Sequence, residues 1–317
     1  MNRSAATLSS VVVVLVLVAA ACTGGASPTP AATASPTEAA TATEGPSPTP
    51  SPVVPTSLIT SGTVVDCVDI EYPPMEYFPS ADETDPAKAI GFDVDSAKAV
   101  VQHWGLQIEI RNTAFDALIP DLQAGRCDIV WTALFVNATR LEVAEAVPYL
   151  ATGHVVMVPT GNPKAIKTLD DLCGKSVSIQ AGGLVEEQIN KQSKACTDAG
   201  KAAIDVQGYQ TVAEEFQQIV APARVDAVWE TDTAVADWIV KNPGKYDVAF
   251  VVSRADAYGV YFQKNKADLA AGLVDALKAL KADGSWATIA TQYAQDPAAL
   301  APACPGSTAT AGCHPVE

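Results

Sequence analysis

From about residue 60 to residue 300 the chain repeats one rhythm, and that rhythm limits the folds open to it. A short apolar run rich in β-branched residues is followed by a longer segment with apolar residues three and four apart, often closed by glycine. "GTVVDCVDI" (62–70) reads as a strand, stopped by the proline pair of "EYPPMEYF". "GFDVDSAKAVVQHWG" (91–105) reads as a helix with Asp95 as its cap, Val100, Val101 and Trp104 as its apolar face and Gly105 as its end. "LQIEI" alternates as a strand, "FDALIPDLQAG" is a helix carrying Leu118 and Leu122, and "CDIVW" is a strand again. After "ATGHVVMVPTGNP" the pattern restarts. "TLDDLCGKSVSI" is a short helix, a turn and a strand, and "AGGLVEEQINKQSKAC" is a helix. "IDVQGY", "RVDAVWE" and "YDVAFVV" read as strands, with "TVAEEFQQIV" and "TAVADWIVKN" as the helices between them. "AYGVYFQKN" returns the chain to two last helices, the first striped by Leu269, Leu273, Leu277 and Leu280. Alternation of this kind predicts an α/β fold of two units, each roughly 100 residues with a mostly parallel sheet and flanking helices.

The chain ahead of this region cannot build a core. Arg3 precedes "VVVVLVLVAAAC", a run of signal-peptide length and shorter than the roughly 17 to 25 residues of a membrane span. Ala19, Ala20 and Ala21 before Cys22 resemble a bacterial lipoprotein box, although that box prefers leucine where Ala19 stands. The expectation is a signal peptide over 1–21 and a lipid on Cys22; the plainer alternative is a secreted chain cleaved nearby. Residues 22–59 are dominated by Ser, Thr, Pro and Ala, too polar to fold and suited to a semi-rigid tether outside a membrane.

A formal net charge of -16 makes nucleic acid and anionic lipid surfaces poor partners. Six cysteines follow Cys22, an even set that reads as disulfides in an exported chain. Of about fifteen possible pairings, the sequential one (Cys67–Cys127, Cys173–Cys196, Cys304–Cys313) keeps each bond within one structural unit. Metal binding is the rival, but no CxxC occurs, and His103, His154 and His314 belong to no ligand-spaced cluster. No cofactor is expected. Nucleophile-elbow, zinc-protease, dinucleotide and phosphate-loop motifs are also absent, so the expectation is a binding protein and not an enzyme.

Two α/β units imply a cleft, and ligands of open α/β sheets sit at the carboxyl ends of strands. The loops in that position are "DIEYPPMEY", "TAF", "TALFVNATR", "QAGG" and "ETDTA". Arg140 offers a fork of donors suited to a planar carboxylate, and Thr132 adds a hydroxyl. The alternative for Arg140 is a solvent-facing residue paired with Glu142 or Glu145. Tyr72 and Phe115 are placed to clamp a ligand, or else to pack in the core. Asp69, Glu71, Glu230 and Asp232 could receive an ammonium group. Ala133 and Gly182 belong to the same loops, and Trp229 is expected beside the cleft.

The pieces "EYPPMEY", "GFDVDSAKAV", "FDALIPDLQAGRCDIV", the "TR" at 139–140, "DLCGKSVSIQAG", "RVDAVWETD" and "AYGVYFQK" together resemble the family 3 extracellular solute-binding proteins, over about residues 60–296. That resemblance implies a two-lobed periplasmic-binding-protein fold of type II. Lobe one would take 60–152 and 255–300, lobe two 153–254, and the tail 301–317. It also implies that Cys67 and Cys127 lie on neighbouring strands of lobe one, with Cys173 and Cys196 in lobe two.

Carried over residue by residue, Tyr72 and Phe115 would be the aromatic clamp, Arg140 and Thr132 the carboxylate partners, Asp232 the amine receptor, and Asp69 the acid for a basic side chain. The implied role is the receptor of an ABC importer, a monomer held by lipid to the outer face of the cell membrane. It would bind a small zwitterionic solute, a polar or cationic amino acid, and deliver it to membrane permease subunits, with ATP hydrolysis left to another chain. A cyclohexadienyl-type dehydratase and a sensor without a transporter are the rivals. The departures are specific. Thr231 stands where the family's amine-binding aspartate is usual, flanked by Glu230 and Asp232. Phe135 fills a place for a small residue, where its bulk narrows the pocket or stacks on the ligand. Leu184 replaces a carboxylate-binding threonine, and Ser96 and Trp104 depart at packing positions.

Overall fold

The computed structural model describes residues 51–220, 222–305 and 311–316. The expected signal segment, Cys22 and the tether as far as residue 50 lie outside the described residues. The strands are β1 (Thr63–Val68), β2 (Gln107–Asn112), β3 (Ile129–Val130), β4 (Ala144–Pro159), β5 (Ser176–Gln180), β6 (Asp205–Tyr209), β7 (Ala227–Thr231) and β8 (Tyr246–Gln263). They form one sheet in the order β2-β1-β3-β8-β4-β7-β5-β6. β1 runs parallel to β2 and β3 at one end, and β5 runs parallel to β6 and β7 at the other. Between them lie β4 and β8, antiparallel to each other and long enough, about 50 Å, to serve both ends. The chain therefore has two lobes, each with its own parallel strands, sharing a central antiparallel ribbon.

The sequence reading divided that ribbon. It took "YDVAFVV" and "AYGVYFQKN" as separate pieces and treated 151–163 as a connection. The physical reason is the middle of β8, where Arg254 and Ala255 are exposed, Ser253 and Asp256 are half-buried, and the apolar pattern breaks. At the same level the register shifts between Thr152 and His154. Gly153 is required there, because a Cβ would stand 1.9 Å from the carbonyl oxygen of Ser253.

Eight α-helices cover the sheet: α1 (Phe92–His103), α2 (Leu118–Gln123), α3 (Ala138–Leu141), α4 (Leu184–Asp198), α5 (Val212–Gln217), α6 (Asp232–Lys241), α7 (Ala267–Ala282) and α8 (Ser285–Gln292). The leucine stripe of α7 is buried throughout, each side chain contributing roughly 1.5–3 kcal/mol of apolar burial. Asp95 is not the cap of α1. Gly91 holds that position without a side-chain bond, and Asp95 instead accepts a hydrogen bond from Tyr293 Oη at 2.6 Å. Gly91 has φ 134°, and a Cβ there would lie 2.1 Å from the carbonyl oxygen of Met75, so the 72–76 turn rests directly on the start of α1. Ser96 accepts from Trp286 Nε1 at 3.2 Å and Trp104 is buried in the lobe-one core, so both unusual residues serve packing.

Disulfides join Cys67 to Cys127, Cys173 to Cys196 and Cys304 to Cys313. The first ties β1 to the residues entering β3, and the second ties α4 to the turn ahead of β5. The third brings the tail against β4, where the Ala146 amide donates to Gly312 O and the His314 amide to Ala146 O. Residues 53–57, expected to belong to the tether, lie along α7. The amides of Thr56 and Ser57 donate to Asp268, and that of Val53 donates to Asp275.

Candidate functional site

The carboxyl ends of β1, β2, β3, β5 and β7 converge on a small, closed cavity of about 20 Å³ between the lobes. Thr132 and Ala133 follow β3, and Ala133 is held at φ 27° with its amide donating to Asp93 Oδ2 at 2.6 Å. Tyr72, 4 % exposed, reaches from lobe one to lobe two. Its hydroxyl donates to Glu230 Oε1 at 2.6 Å and lies 2.5 Å from Thr231 Oγ1. Thr231 Oγ1 continues the chain to Thr233 Oγ1 at 3.1 Å, and Thr233 to Tyr258 Oη at 2.9 Å. A second bridge between lobes is made by Glu71 Oε1, which accepts from the Val212 amide at 3.3 Å and from Gln180 Nε2 at 3.4 Å. The lobes are therefore drawn together, with the carboxylates of one meeting polar groups of the other.

Acids dominate this wall. Asp69, Glu76 and Glu230 line the cavity, and Glu71, Asp93 and Glu215 stand behind them. Burial pushes the Asp69 carboxyl up to about 7, against the hydrogen bond of Gln180 and with added repulsion from Asp116. Burial and the neighbouring Asp69 push Glu71 up to about 8. Glu76 is raised by burial and by Asp93 beside it, and Glu230 by burial, moderated by its bond from Tyr72. Thr132 Oγ1 donates to Glu76 Oε1 at 2.7 Å, and Asp69 Oδ2 is buried without a hydrogen-bond partner among the described residues. The apolar side of the cavity comes from Phe115, Phe135, Leu184 and Val185.

Of the residues singled out from sequence, Asp69, Tyr72, Phe115, Thr132, Ala133, Phe135 and Glu230 line this cavity. Five others lie elsewhere. Glu71 forms the interlobe bridge just described. Arg140 occupies an adjoining recess with Asp116, Gly182 and Glu187; its Nη1 donates to Phe135 O at 2.9 Å, and the guanidinium carbon lies 5.8 Å from the Phe115 ring centre. Burial lowers the pKa of that guanidinium, with Tyr261 acting against the shift. Gly182 lines the same recess, its amide donating to Glu186 Oε2 at 2.7 Å.

Trp229 is buried in the lobe-two core, stacked on His154 and donating from Nε1 to His154 Nδ1 at 2.7 Å. Asp232 faces an outer groove and accepts from Thr152 Oγ1 at 2.7 Å. The unnamed contributors are Glu76, Gln180, Gly183 and Val185; Thr231, noted from sequence as standing at the family's aspartate position, also lines the cavity, where Asp232 does not. Glu76 was visible in "EYPPMEY" as the second acid of a strand-end loop, and Gln180 as the last residue of a strand.

Two lobes on a shared ribbon, with a polar cavity at the strand ends between them, define a two-lobed binding protein. Residues 64–296 match the profile of the bacterial extracellular solute-binding proteins, family 3, and the chain belongs to that family. It is 25 % identical over 233 residues to the L-cystine-binding protein TcyJ of Escherichia coli (strain K12), covering 73 % of this chain and 82 % of that protein. Among solved structures it is similar to an ancestral arginine-binding protein bound to arginine (TM-score 0.65, 28 % identity, 73 % of this chain and 98 % of that one). A further similar structure is AncCDT-1, an ancestral amino acid-binding protein described as a precursor of cyclohexadienyl dehydratase (TM-score 0.63, 25 % identity, 73 % and 95 %).

Proposed function

We propose that this chain is the extracytoplasmic receptor of an ABC importer, closing its lobes on a small amino acid-like solute, a polar or cationic amino acid. The observation that carries the reading is the carboxyl set of Asp69 and Glu76 on one lobe and Glu230 on the other, around one cavity bridged by Tyr72. A cation between those acids would hold the lobes shut, because neither lobe alone completes its coordination. Similarity to a cystine-binding protein and to an arginine-bound receptor supports a solute with an amino group. The chain acts as a monomer, tethered by lipid at Cys22, and hands the solute to permease subunits. It performs no chemistry itself.

The test is intrinsic tryptophan fluorescence of the purified chain, titrated with L-amino acids, small amines and dicarboxylic acids. Saturable one-to-one binding of an amine-bearing solute is expected, and a response confined to dicarboxylic acids would defeat the assignment. The dehydratase reading is favoured by one observation, the likeness to AncCDT-1. Turnover of prephenate or arogenate would establish it; no turnover is expected.

A further inference from the structure

β4 and β8 are the strands that run through both lobes, so bending of one lobe on the other falls on their middle. His154 lies there, with a register shift against β8 on either side of it. Its imidazole is fully buried. Trp229 of lobe two stacks on the ring and donates from Nε1 to Nδ1 at 2.7 Å, and the Phe135 ring of lobe one meets it edge-on at 6.1 Å. Nδ1 is thus an acceptor, which places the proton of the neutral ring on Nε2. Nε2 faces Asp256 Oδ2 across the ribbon at 3.6 Å, beyond hydrogen-bond length, and neither atom has a partner among the described residues.

A buried donor and acceptor left facing each other are costly, and a shift of under about 1 Å between β4 and β8 would join them. The lobes are already drawn together by Tyr72 and Glu71, so the movement left to the ribbon is opening. Protonation drives the same change. An imidazolium has no lone pair for Trp229 Nε1, and its charge is drawn to Asp256. In the closed form burial holds the imidazole below its ordinary value, against the pull of Asp256 and Asp232. Closure therefore expels the proton, and acid favours opening. Those two carboxylates, from β8 and the start of α6, are the charged groups facing the ring; Trp229 of β7 and Phe135 do not titrate.

On the receptor reading above, we infer that His154 is the positioning residue of the hinge. Neutral and bonded to Trp229, it holds the lobes closed; paired with Asp256, it holds them open, and a proton taken from solvent at His154 releases the solute. Phe135, which lines the cavity and touches the ring, ties occupancy of the cleft to this residue.

Tryptophan fluorescence of the full chain is titrated with L-arginine, L-lysine, L-glutamine and L-cystine at about pH 7.5 and about pH 5.5, a span across which histidine changes charge. The cavity acids titrate alike in the native chain and in His154→Gln, so the difference between the two chains isolates the hinge. Affinity for a bound probe is expected to fall about fivefold further in the native chain than in His154→Gln, within the roughly tenfold that one imidazole allows over this span. Equal falls would overturn the inference and leave the receptor reading intact. Silence from all four probes at the higher pH would defeat the receptor reading and the inference with it. Asp256→Asn, at a half-buried position, is expected to move the midpoint of the acid loss to lower pH, and an unmoved midpoint would overturn the pairing. Histidine-¹⁵N spectra of the loaded chain should show His154 with its proton on Nε2; a proton on Nδ1 would overturn the assignment.

Discussion

Two neighbouring recesses of this protein share a wall, and both are rich in acids, but only one of them holds a basic group among the described residues. One holds Asp69, Glu76 and Glu230 between the lobes; the other holds Arg140 beside Phe115 and Gly182. The segment that builds them is the same, residues 131–140. Its first part, leaving β3, places Thr132, Ala133 and Phe135 in the acidic cavity. Asn137 then caps α3 by accepting from the Arg140 amide at 2.8 Å, and that turn carries Arg140 to the far side of Phe115. Its place is held by the backbone carbonyl oxygen of Phe135, which accepts from both Arg140 Nη1 and Tyr261 Oη.

The substitution that breaks this comparison most severely is Phe135→Ala. Phe135 is buried, with ring centres 5.1 Å from Tyr258 and 6.1 Å from His154. Truncation should cost about 3–5 kcal/mol of stability, read as a lower urea midpoint with unchanged slope. It should also weaken solute binding, since Phe135 lines the cavity between the lobes. A folded variant with unchanged affinity would show that the Phe135 ring does not touch the solute.

Tyr72→Phe removes only the hydroxyl that joins the lobes. The bond to Glu230 involves a carboxylate, and bonds to charged groups contribute about 1.5–3 kcal/mol. Ligand affinity should fall by roughly tenfold or more, with the aromatic contact retained. Loss of affinity through a faster off-rate, measured by stopped-flow fluorescence, is the expected signature, because closure is what the hydroxyl supports. An unchanged off-rate would mean the bridge plays no part in retention.

The acidic recess should also give ligand binding and folding opposite responses to pH. Asp69, raised to about 7, faces Glu71, Asp116 and Gln180; Glu76 faces Asp93 and Thr132; Glu230 faces Glu215 and Tyr72. No basic group offsets these raised values. These carboxyls therefore hold protons between about pH 4 and pH 8 that they have released in the unfolded chain, so their contribution to stability is greatest below that window and declines as pH rises through it. A bound cation needs the carboxylates ionised, so affinity rises over the upper part of the same range. For a single carboxyl titrating near 7 the gain is roughly tenfold between pH 6 and pH 8. Calorimetry should show proton release on binding, and a flat profile would remove Asp69 from the ligand's contacts.

The repeated strand–helix rhythm made the α/β class legible, since the parallel strands are short, those inside the sheet (β1, β3, β5, β7) are largely buried, and β2 alternates. The central ribbon was not legible, because Arg254 and Asp256 sit in the middle of β8 and look like a loop. Strand-end loops pointed to Asp69, Tyr72, Phe115, Thr132 and Glu230 because their position follows from topology alone. Trp229 and Asp232 were chosen from the same end of β7, yet the pleat turns Trp229 into the core while Glu230 faces the cavity. Asp232 begins α6 and faces outward. A one-residue change of side is invisible when the strand is buried throughout, as all five residues of β7 are.

The smallest effect should come from Arg140→Ala, and it tests the division between the recesses directly. If the guanidinium serves mainly to hold the 135–140 turn, its removal costs a hydrogen bond to the Phe135 carbonyl and a contact with the Phe115 ring. That corresponds to about 1 kcal/mol of stability. In that case solute affinity stays within about threefold of the original, under 0.7 kcal/mol. A carboxylate-bearing ligand reaching across Phe115 would behave differently, losing its counter-ion and with it a hundredfold or more, the loss of a charge-assisted pair. A small loss thus assigns Arg140 to the architecture of the loop, and a large one reassigns it to the ligand.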